Sequence, residues 1–339
     1  MQHQLSKGPL LDHNGHLIEA GYSTQLVKDY RRSDIAVKGM RIKEWDYYYV
    51  GNASYGFALT VADNDYLWLT SATFFDFDQK KEQTSTQMGF FPRGKLNLPE
   101  SSQKGDVRVH LKNHQIAIEI NQTERKIKAL IQSFHQKEAM LIDVILTPTV
   151  RDSMVIATPF NKPTHFYYNQ KINLLKATGQ VKIGEKTYQM DNSYGVLDWG
   201  RGVWTYKNTW YWSSLSGIQN GQRIGFNLGY GFGNTQKATE NMLFVNDETF
   251  KFEDVVFDIP QIKGRDDYMS PWRIYSQSKT IDLQFEPLLD RHSKASFILL
   301  KSIQHQVFGY FDGTFTLSDG RKVTINRMLG FAEKVTNHW

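Results

Sequence analysis

The chain has 339 residues, of which 40% are hydrophobic and 22% are charged, so it can bury a core and is not intrinsically disordered. The absence of cysteine excludes disulfides, thiolate metal sites and thiol nucleophiles. The 40 basic and 35 acidic residues give a net charge of +5, which is mild for this length. The basic runs also lack the interleaved aromatic residues of a nucleic-acid groove, so we expect no nucleic-acid partner.

Signals for membrane insertion and secretion are also missing. No apolar run approaches the roughly 18 residues that a membrane-spanning helix needs. The segment 1–11 has neither a long apolar core nor a small-residue cleavage site. We therefore expect no integral membrane segment and a soluble, cytoplasmic protein. The oligomeric state has no signature in the sequence.

The dominant period of the hydrophobic pattern is two residues. In chain order, apolar residues alternate with small or polar ones in 55–61, 66–75, 107–111, 116–120 and 281–285. Such alternation predicts strands with one buried and one solvated face. Asn-Gly and Asp-Gly pairs recur between the hydrophobic runs and are typical of tight hairpin turns.

This pattern predicts an all-β protein with very few helices. Many short strands joined by turns indicate antiparallel sandwiches or barrels, whereas a parallel α/β fold would need long crossover helices. The 25 glycines leave no window for such helices. Polar residues cluster just before a stretch rich in tryptophan and glycine, so we predict two β-domains, at 1–195 and 196–339.

The most unusual segment is 198–212. Four of the chain's eight tryptophans lie within it: Trp199, Trp204, Trp210 and Trp212. Asp198 and Arg201 stand between these aromatic residues, and each charge needs a partner because its desolvation costs several kcal/mol. Either the two form a buried ion pair that ties two sheets together, or they belong to a polar group on the wall of an aromatic cavity.

Other candidate site residues lie before and after this segment in the sequence. Glu240 precedes Asn241 in a polar cluster. The cluster predicts a turn or a helix cap; the alternative is that Glu240 is a carboxylate in a cavity. An apolar wall raises the pKa of a carboxylate, which then serves as a proton donor near neutral pH. Glu333, on the last predicted strand, is a further candidate acid. Lys171 lies on a predicted strand, where it pairs with a carboxylate or extends outward.

Common signatures for cofactors and metals are absent. The sequence has no phosphate-binding loop, and the glycine cluster at 225–233 lacks the dinucleotide-binding spacing. That cluster indicates a bent strand or one that another segment approaches closely. Metal binding needs three or more converging ligands, and the histidines show no such convergence. We therefore expect neither a metal nor a cofactor.

Several blocks of the sequence resemble a family known as domain of unknown function 2804. The resemblance extends from about residue 8 to residue 339, and its most specific block is 197–204. More distantly, the chain is similar to the two-domain lipocalin-like superfamily that includes hydroxyneurosporene synthase, tocopherol cyclase and Diels–Alder cyclases. The other matching blocks are 43–48, 167–173, 238–241, 305–309 and 330–333.

The distant resemblance implies two lipocalin-like β-domains packed side by side, with a cavity in or between them. The reactions it implies are hydration, isomerisation and cyclisation of a lipophilic small molecule. In those relatives a block with tryptophan and an acid lies near the domain junction, and the comparable positions here are Asp198, Trp199 and Arg201. Glu333 is similar in placement to an acid late in the second domain of the relatives.

Three functions remain open from the sequence. The first is acid catalysis on a lipophilic ligand, with Glu240 or Asp198 as the proton donor and Arg201 orienting the acid. The second is a non-catalytic carrier or sensor of a hydrophobic ligand, and the third is a structural or protein-binding β-domain. An acid that faces the cavity favours catalysis, and an acid neutralised by Arg201 does not. The residues expected to contact the ligand are Trp199, Trp204, Trp212, Asn241, Lys171 and Glu333.

Overall fold

The computed structural model describes residues 2–297 and 300–338. Within these ranges the secondary structure is β-strand apart from a 3-10 turn at Arg32–Asp34, which confirms the all-β prediction. No helix in the described ranges has the length and hydropathy needed to cross a bilayer.

The first sheet holds thirteen strands from the first part of the chain. Its main path is β7-β6-β5-β4-β15-β13-β11-β10-β9-β8; β12 and β14 also pair with β13, and β2 pairs with β12. The pairings within it are antiparallel. The strands of this part of the chain are β1 (Gly8–Pro9), β2 (Gly21–Ser23), β3 (Lys28–Asp29), β4 (Ile42–Gly51), β5 (Tyr55–Asp63), β6 (Leu67–Asp76), β7 (Lys81–Phe90), β8 (Val107–His110), β9 (His114–Ile120), β10 (Arg125–His135), β11 (Glu138–Pro148), β12 (Met154–Pro159), β13 (Phe166–Ile183), β14 (Lys186–Gln189) and β15 (Tyr194–Val203).

The second sheet holds nine strands in the order β19-β18-β17-β16-β26-β25-β24-β23-β20. Its neighbours in sequence are mostly neighbours in space, as in hairpin-connected sheets. The strands of this part of the chain are β16 (Lys207–Gln219), β17 (Gln222–Tyr230), β18 (Met242–Val245), β19 (Glu248–Lys251), β20 (Val255–Asp258), β21 (Gln261–Ile262), β22 (Arg265–Asp266), β23 (Trp272–Ser276), β24 (Ile281–Phe297), β25 (Leu300–Thr316) and β26 (Lys322–His338).

Each sheet curls around its own hydrophobic core. In the first sheet the curl brings β9 near the opposite edge, where His114 hydrogen-bonds to Thr70 at 2.8 Å and to Ser85 at 3.0 Å. Trp199 is fully buried in the first core, and Trp272 is fully buried in the second. Two half-barrels of antiparallel strands therefore pack side by side, as the lipocalin-like prediction requires.

The chain crosses from one sheet to the other between Val203 and Lys207. The predicted division at 195 falls inside β15, which pairs with β4 and β13 and so belongs to the first sheet. The change of sheet therefore lies in 204–206. Because β15 is central in the first sheet and β16 is central in the second, this short crossing brings the middles of both sheets together.

A bulge in β13 joins the two sheets. The register between β13 and β15 shifts after Ile172, and Leu174 takes a φ of +57°. At this bulge the side-chain amide of Asn173 donates to Ser214 Oγ at 2.8 Å and to the carbonyl oxygen of Phe226 at 3.0 Å. Gly225 leaves room for the bulge, because a Cβ there would lie 2.9 Å from the Leu174 side chain.

Candidate functional site

A cavity of about 740 Å³ lies between the two sheets. One wall is the outer face of β4–β7, β13 and β15, and the other is the outer face of β16 and β24–β26. Because β13 and β15 are central strands and β7 is an edge strand, the cavity runs from the middle of the interface to an edge of the first sheet. Alternate side chains of β7 that line it are exposed, so the cavity opens there.

The inner end of the cavity has an aromatic wall. Trp204 packs edge-on against Trp45 and Phe232, with ring centroids 4.9 and 4.5 Å apart. Trp210 contacts the same Phe232 ring, and Tyr167 stacks on Trp45. This end is therefore rigid and mostly apolar, which suits a flat or flexible hydrophobic ligand.

Asp198 and Lys171 form an ion pair on this wall. The two residues stand opposite each other on β15 and β13, with Nζ 3.0 Å from Oδ2. Asn169 donates its amide to Oδ1 of Asp198 at 2.6 Å. The Lys171 ammonium also lies 3.9 Å from the ring centroid of Trp212, within cation–π distance. The partner of Asp198 is therefore Lys171, and the predicted pairing with Arg201 is wrong.

Arg201 lies on the opposite face of β15, because side chains an odd number of residues apart in a strand point to opposite faces. Its guanidinium enters the core of the first sheet, 3.0 Å from Asp46 and bonded to the carbonyl oxygen of Pro99 at 2.8 Å. It also lies 4.4 Å from the ring centroid of Trp199, on the same face. Arg201 and Trp199 therefore do not line the cavity, and Arg201 does not orient Asp198.

Asn241 also faces away from the cavity. Its Oδ1 accepts the backbone N–H of Gly229, and its Nδ2 donates to the carbonyl oxygen of Glu253, both at 2.8 Å. The preceding residue, Glu240, points the other way and lines the cavity. Asn241 thus holds the segment that carries Glu240, which corrects its prediction as a ligand contact.

Glu240 is a buried carboxyl group beside β17. A Cβ at position 229 would lie 2.8 Å from its Oε1, so Gly229 makes the space for this carboxyl group. The glycine cluster at 225–233 predicted a strand of this kind, which another segment approaches closely. Burial raises the pKa of Glu240, the negative charge of Asp198 adds to the increase, and Lys171 opposes it. The backbone carbonyl of Glu240 accepts the amide of Asn227 at 2.7 Å.

Glu333 of β26 is the acid with the clearest pKa shift. Burial raises its pKa to about 7, while Lys171 and two hydrogen bonds oppose the increase. The indole N–H of Trp210 donates to Oε1 at 3.2 Å, and the amide of Gln304 donates to Oε2 at 3.3 Å. A carboxyl group with this pKa is protonated in part of the molecules at neutral pH.

The arrangement leaves one acid neutralised and two without a cation. Asp198 has its ion pair with Lys171. Glu240 and Glu333 have no ion-pair partner among the residues that the structure describes, and burial raises the pKa of each. The cavity therefore combines an ion pair with two carboxyl groups that take up a proton more readily than usual.

Other cavity residues escaped the sequence analysis. Trp45 and Tyr47 of β4 line the wall, and β4 is buried on both faces, a pattern that indicates a strand covered by a second layer. Gln306 spans the sheets: its Nε2 donates to the Tyr47 hydroxyl at 3.0 Å, and its Oε1 accepts from Arg291 at 3.2 Å. These glutamine and arginine residues had no sequence signal, because their role depends on the contact between sheets.

No cluster of three or more potential metal ligands occurs in 2–297 or 300–338.

Comparison with protein families then identifies the chain. The model of DUF2804, a domain of unknown function, matches residues 2–339. The chain belongs to this family. A comparison with curated proteins gives no match.

Solved structures show the same fold. An AttH-like protein of Nitrosomonas europaea is 13% identical, with a TM-score of 0.54 over 87% of this chain and 92% of its own. Kievitone hydratase of Nectria haematococca is also 13% identical, with a TM-score of 0.53 over 93% and 97%. CghA, solved with Sch210972, is more distant, at 8% identity and a TM-score of 0.40 over 88% of both chains. At 13% identity, the likeness to the first two structures concerns the fold.

Proposed function

We propose that this protein is an enzyme that binds a lipophilic small molecule in the cavity and protonates it with Glu333. One observation carries the proposal: a buried carboxyl group with a pKa of about 7 lies on the wall of an aromatic cavity. An acid whose pKa is near the working pH is the most effective general acid, because a large fraction of it is protonated and it still releases its proton readily.

The reaction begins at a carbon–carbon double bond of the ligand. The Glu333 proton and the π electrons of the double bond form a new C–H bond, which leaves the neighbouring carbon with a positive charge. Addition of water to that carbon gives hydration, with the surplus proton returning to the Glu333 carboxylate. Loss of an adjacent proton to the Glu333 carboxylate gives isomerisation. Attack by a second double bond or a hydroxyl group, followed by loss of one proton to the same carboxylate, gives cyclisation.

The rest of the cavity suits a developing positive charge. The faces of Trp45, Trp204 and Trp212 carry negative potential that attracts a cation, and the apolar inner end of the cavity limits how much water reaches it. Glu240, whose pKa is also raised, is a second group that takes or gives a proton. Asp198 holds the Lys171 ammonium in place and limits its repulsion of the cationic intermediate.

Hydration is the reaction that we propose first. The relative from Nectria haematococca, which has this fold, is named for a hydratase activity, and a hydratase needs only the acid, the cavity and water. The aromatic wall supports a lipophilic substrate.

A second candidate is a carrier that binds the ligand without turnover. The observation that favours it is the ion pair of Asp198 with Lys171, in which the cavity's aspartate and its lysine are already bound to each other. A carrier would use the same aromatic wall, and Glu333 would then hydrogen-bond a polar group of the ligand. The two candidates differ in whether a proton reaches carbon.

Deuterium transfer separates the two candidates. Native mass spectrometry of freshly purified protein identifies a co-purified ligand, which is then extracted and incubated with the protein in D2O. If the protein is an enzyme, the ligand or its product gains deuterium bound to carbon. A ligand that returns unlabelled, in protein that demonstrably rebinds it, contradicts the proposed catalysis and supports the carrier.

Variants assign the proton donor. Glu333→Gln keeps the shape of the side chain and one acceptor oxygen but removes its acid, so labelling should fall by about 100-fold or more. The matched control is Glu185→Gln, because Glu185 is an exposed glutamate that does not line the cavity. This variant should label the ligand at the normal rate. Full labelling by Glu333→Gln would remove Glu333 from the mechanism and direct attention to Glu240→Gln.

A further inference from the structure

The mouth of the cavity has a different character from its inner end. The side chains of β7 that line the cavity include Thr86, Met88 and Phe90, and all three are exposed. Across the opening, β24 comes close to β7, and Lys301 at the start of β25 is exposed and lines the same cavity. The opening is therefore bounded by the edge of the first sheet and by the paired strands β24 and β25.

Three large apolar side chains project from this rim. Met88 is 54% exposed, Phe90 is 63% exposed and Phe91 is 57% exposed. Single exposed apolar residues are common on protein surfaces. Three of them within four residues, beside an apolar cavity, form the kind of patch that marks an interaction site. We call Met88, Phe90 and Phe91 the rim patch.

The backbone holds the rim patch in place at a cost. Phe91 has a φ of +57°, a conformation that is unfavourable for a bulky residue. Its N–H donates to the carbonyl oxygen of Tyr66 at 2.8 Å, and the N–H of Arg93 donates to that of Asp65 at 3.2 Å. An exposed aromatic side chain that is kept in a strained and hydrogen-bonded loop points to function, because nothing in the core requires it.

Positive charges accompany the rim patch. The Arg93 guanidinium lies 5.8 Å from the ring centroid of Phe91, and Lys301 faces the mouth from the second sheet. Glu82 is the acidic residue of β7 that lines the cavity, and its carboxylate accepts a hydrogen bond from the Thr84 hydroxyl. Aromatic side chains flanked by arginine and lysine are the composition of a surface that binds the interface of an anionic bilayer.

We propose that the rim patch docks the protein on an anionic lipid bilayer, with the mouth of the cavity facing the membrane. Phe90 and Phe91 enter the boundary between headgroups and acyl chains, and Arg93 and Lys301 contact lipid phosphates. A lipophilic ligand then passes between the bilayer and the cavity without crossing water. The proposal of a docking surface rests on the geometry of the rim. Only the passage of a ligand between the bilayer and the cavity rests on the proposed function.

Vesicle co-sedimentation tests the proposal. The full chain is mixed with vesicles of phosphatidylcholine and phosphatidylglycerol, and separately with vesicles of phosphatidylcholine alone. We expect binding to the anionic vesicles that weakens as salt is added, since exposed charges are screened. Phe91→Asn should reduce this binding about tenfold. Phe91 does not line the cavity, and asparagine tolerates positive φ, so this variant should fold.

Each other outcome overturns the docking proposal. The matched control is Ile262→Asn, which removes an exposed apolar side chain elsewhere and should bind vesicles normally. No binding to either vesicle, or equal binding by wild type and Phe91→Asn, rejects the rim patch as a membrane surface. A dimer in sedimentation velocity that Phe91→Asn dissociates would show instead that a second copy covers the patch. Deuterium labelling of a ligand supplied in solution is independent of these results, so the proposed function stands or falls separately.

Discussion

Glu333 links folding stability to pH in a direction unusual for a carboxylate. Its pKa rises from an ordinary 4.5 to about 7 on burial, so the folded state holds this proton more tightly than the unfolded state does. The stabilising contribution is full below about pH 4.5 and is lost as the pH rises through about 7. The same titration governs the proposed acid, so activity should also decline above pH 7.

Substitution of Glu333 by glutamine should therefore stabilise the protein at high pH. We expect Glu333→Gln to match wild type near pH 4.5 and to exceed it above pH 7 by up to about 3 kcal/mol, since each pKa unit corresponds to about 1.4 kcal/mol. Urea unfolding of both proteins at several pH values measures the difference. Parallel stability profiles for the two proteins would contradict the raised pKa.

The buried ion pair of Arg201 should contribute far more to the stability of the protein than an exposed ion pair does. The fully buried guanidinium pairs with Asp46 and lies 3.9 Å from Glu44. Arg201→Met would leave the Asp46 carboxylate in the first core without its cation, at a cost of about 3–5 kcal/mol, whereas Glu44 keeps its ion pair with Arg32. Arg273→Met breaks an exposed pair with Asp282 and should cost less than about 1 kcal/mol. Equal urea midpoints for the two variants would contradict the buried pair.

At the scale of one element, β15 serves two environments through its two faces. Trp199 and Arg201 enter the first core, whereas Asp198 faces the cavity. Gly200 also faces outward, and the indole of Trp45 lies directly over it, so that a Cβ at this position would overlap the ring. The glycines of this strand thus allow an aromatic layer to lie flat on the sheet.

Gly200→Ala should disturb the aromatic wall. Trp45 would have to move, and it is packed against Tyr167 and Trp204, so we expect a loss of about 1–3 kcal/mol in stability and a change in near-ultraviolet circular dichroism. Gly217→Ala, in strand β16, is the control, because its added Cβ would meet only the flexible end of Met328. A near-ultraviolet spectrum of Gly200→Ala that matches wild type would contradict this packing.

The alternation within strands explains what could be predicted from the sequence and what could not. Period-two patterns are local, so the strands and the all-β fold were predictable. For Asp198 and Arg201 the sequence left open either a buried ion pair or a polar group on a cavity wall, although their odd spacing places the two side chains on opposite faces of the strand. The partner of Asp198, Lys171, lies on another strand, and a register between distant strands is not visible in one sequence.

The cavity itself belongs to the whole molecule. Its walls come from both sheets, so residues such as Gln304, Gln306 and Arg291 acquire a role only after the sheets pack. The central strands are held together by aromatic clusters around Trp204 and Phe308. β7 is an edge strand of the first sheet, and the cavity opens there, beside the contact between β7 and β24. The outer face of the first sheet is therefore packed against the second sheet at its centre and open at its β7 edge.

The bulge of β13 should control whether the two sheets unfold together. The Asn173 amide donates to oxygen atoms of Ser214, Leu215 and Phe226, all in the second sheet and all buried. Asn173→Ala would leave buried acceptors without a donor, which costs about 1–3 kcal/mol, and the whole loss falls on the interface. The cores of the two sheets would keep their own contacts, so the variant should weaken their coupling more than it weakens either sheet.

Calorimetry measures this coupling. We expect the wild-type chain to unfold in one transition and Asn173→Ala to unfold in two, or in one with a calorimetric enthalpy above its van't Hoff enthalpy. Asn192→Ala, an exposed asparagine in the turn before β15, is the control and should unfold as wild type does. A single two-state transition for Asn173→Ala would show that the aromatic clusters alone couple the sheets, because they would then be sufficient without the buried amide.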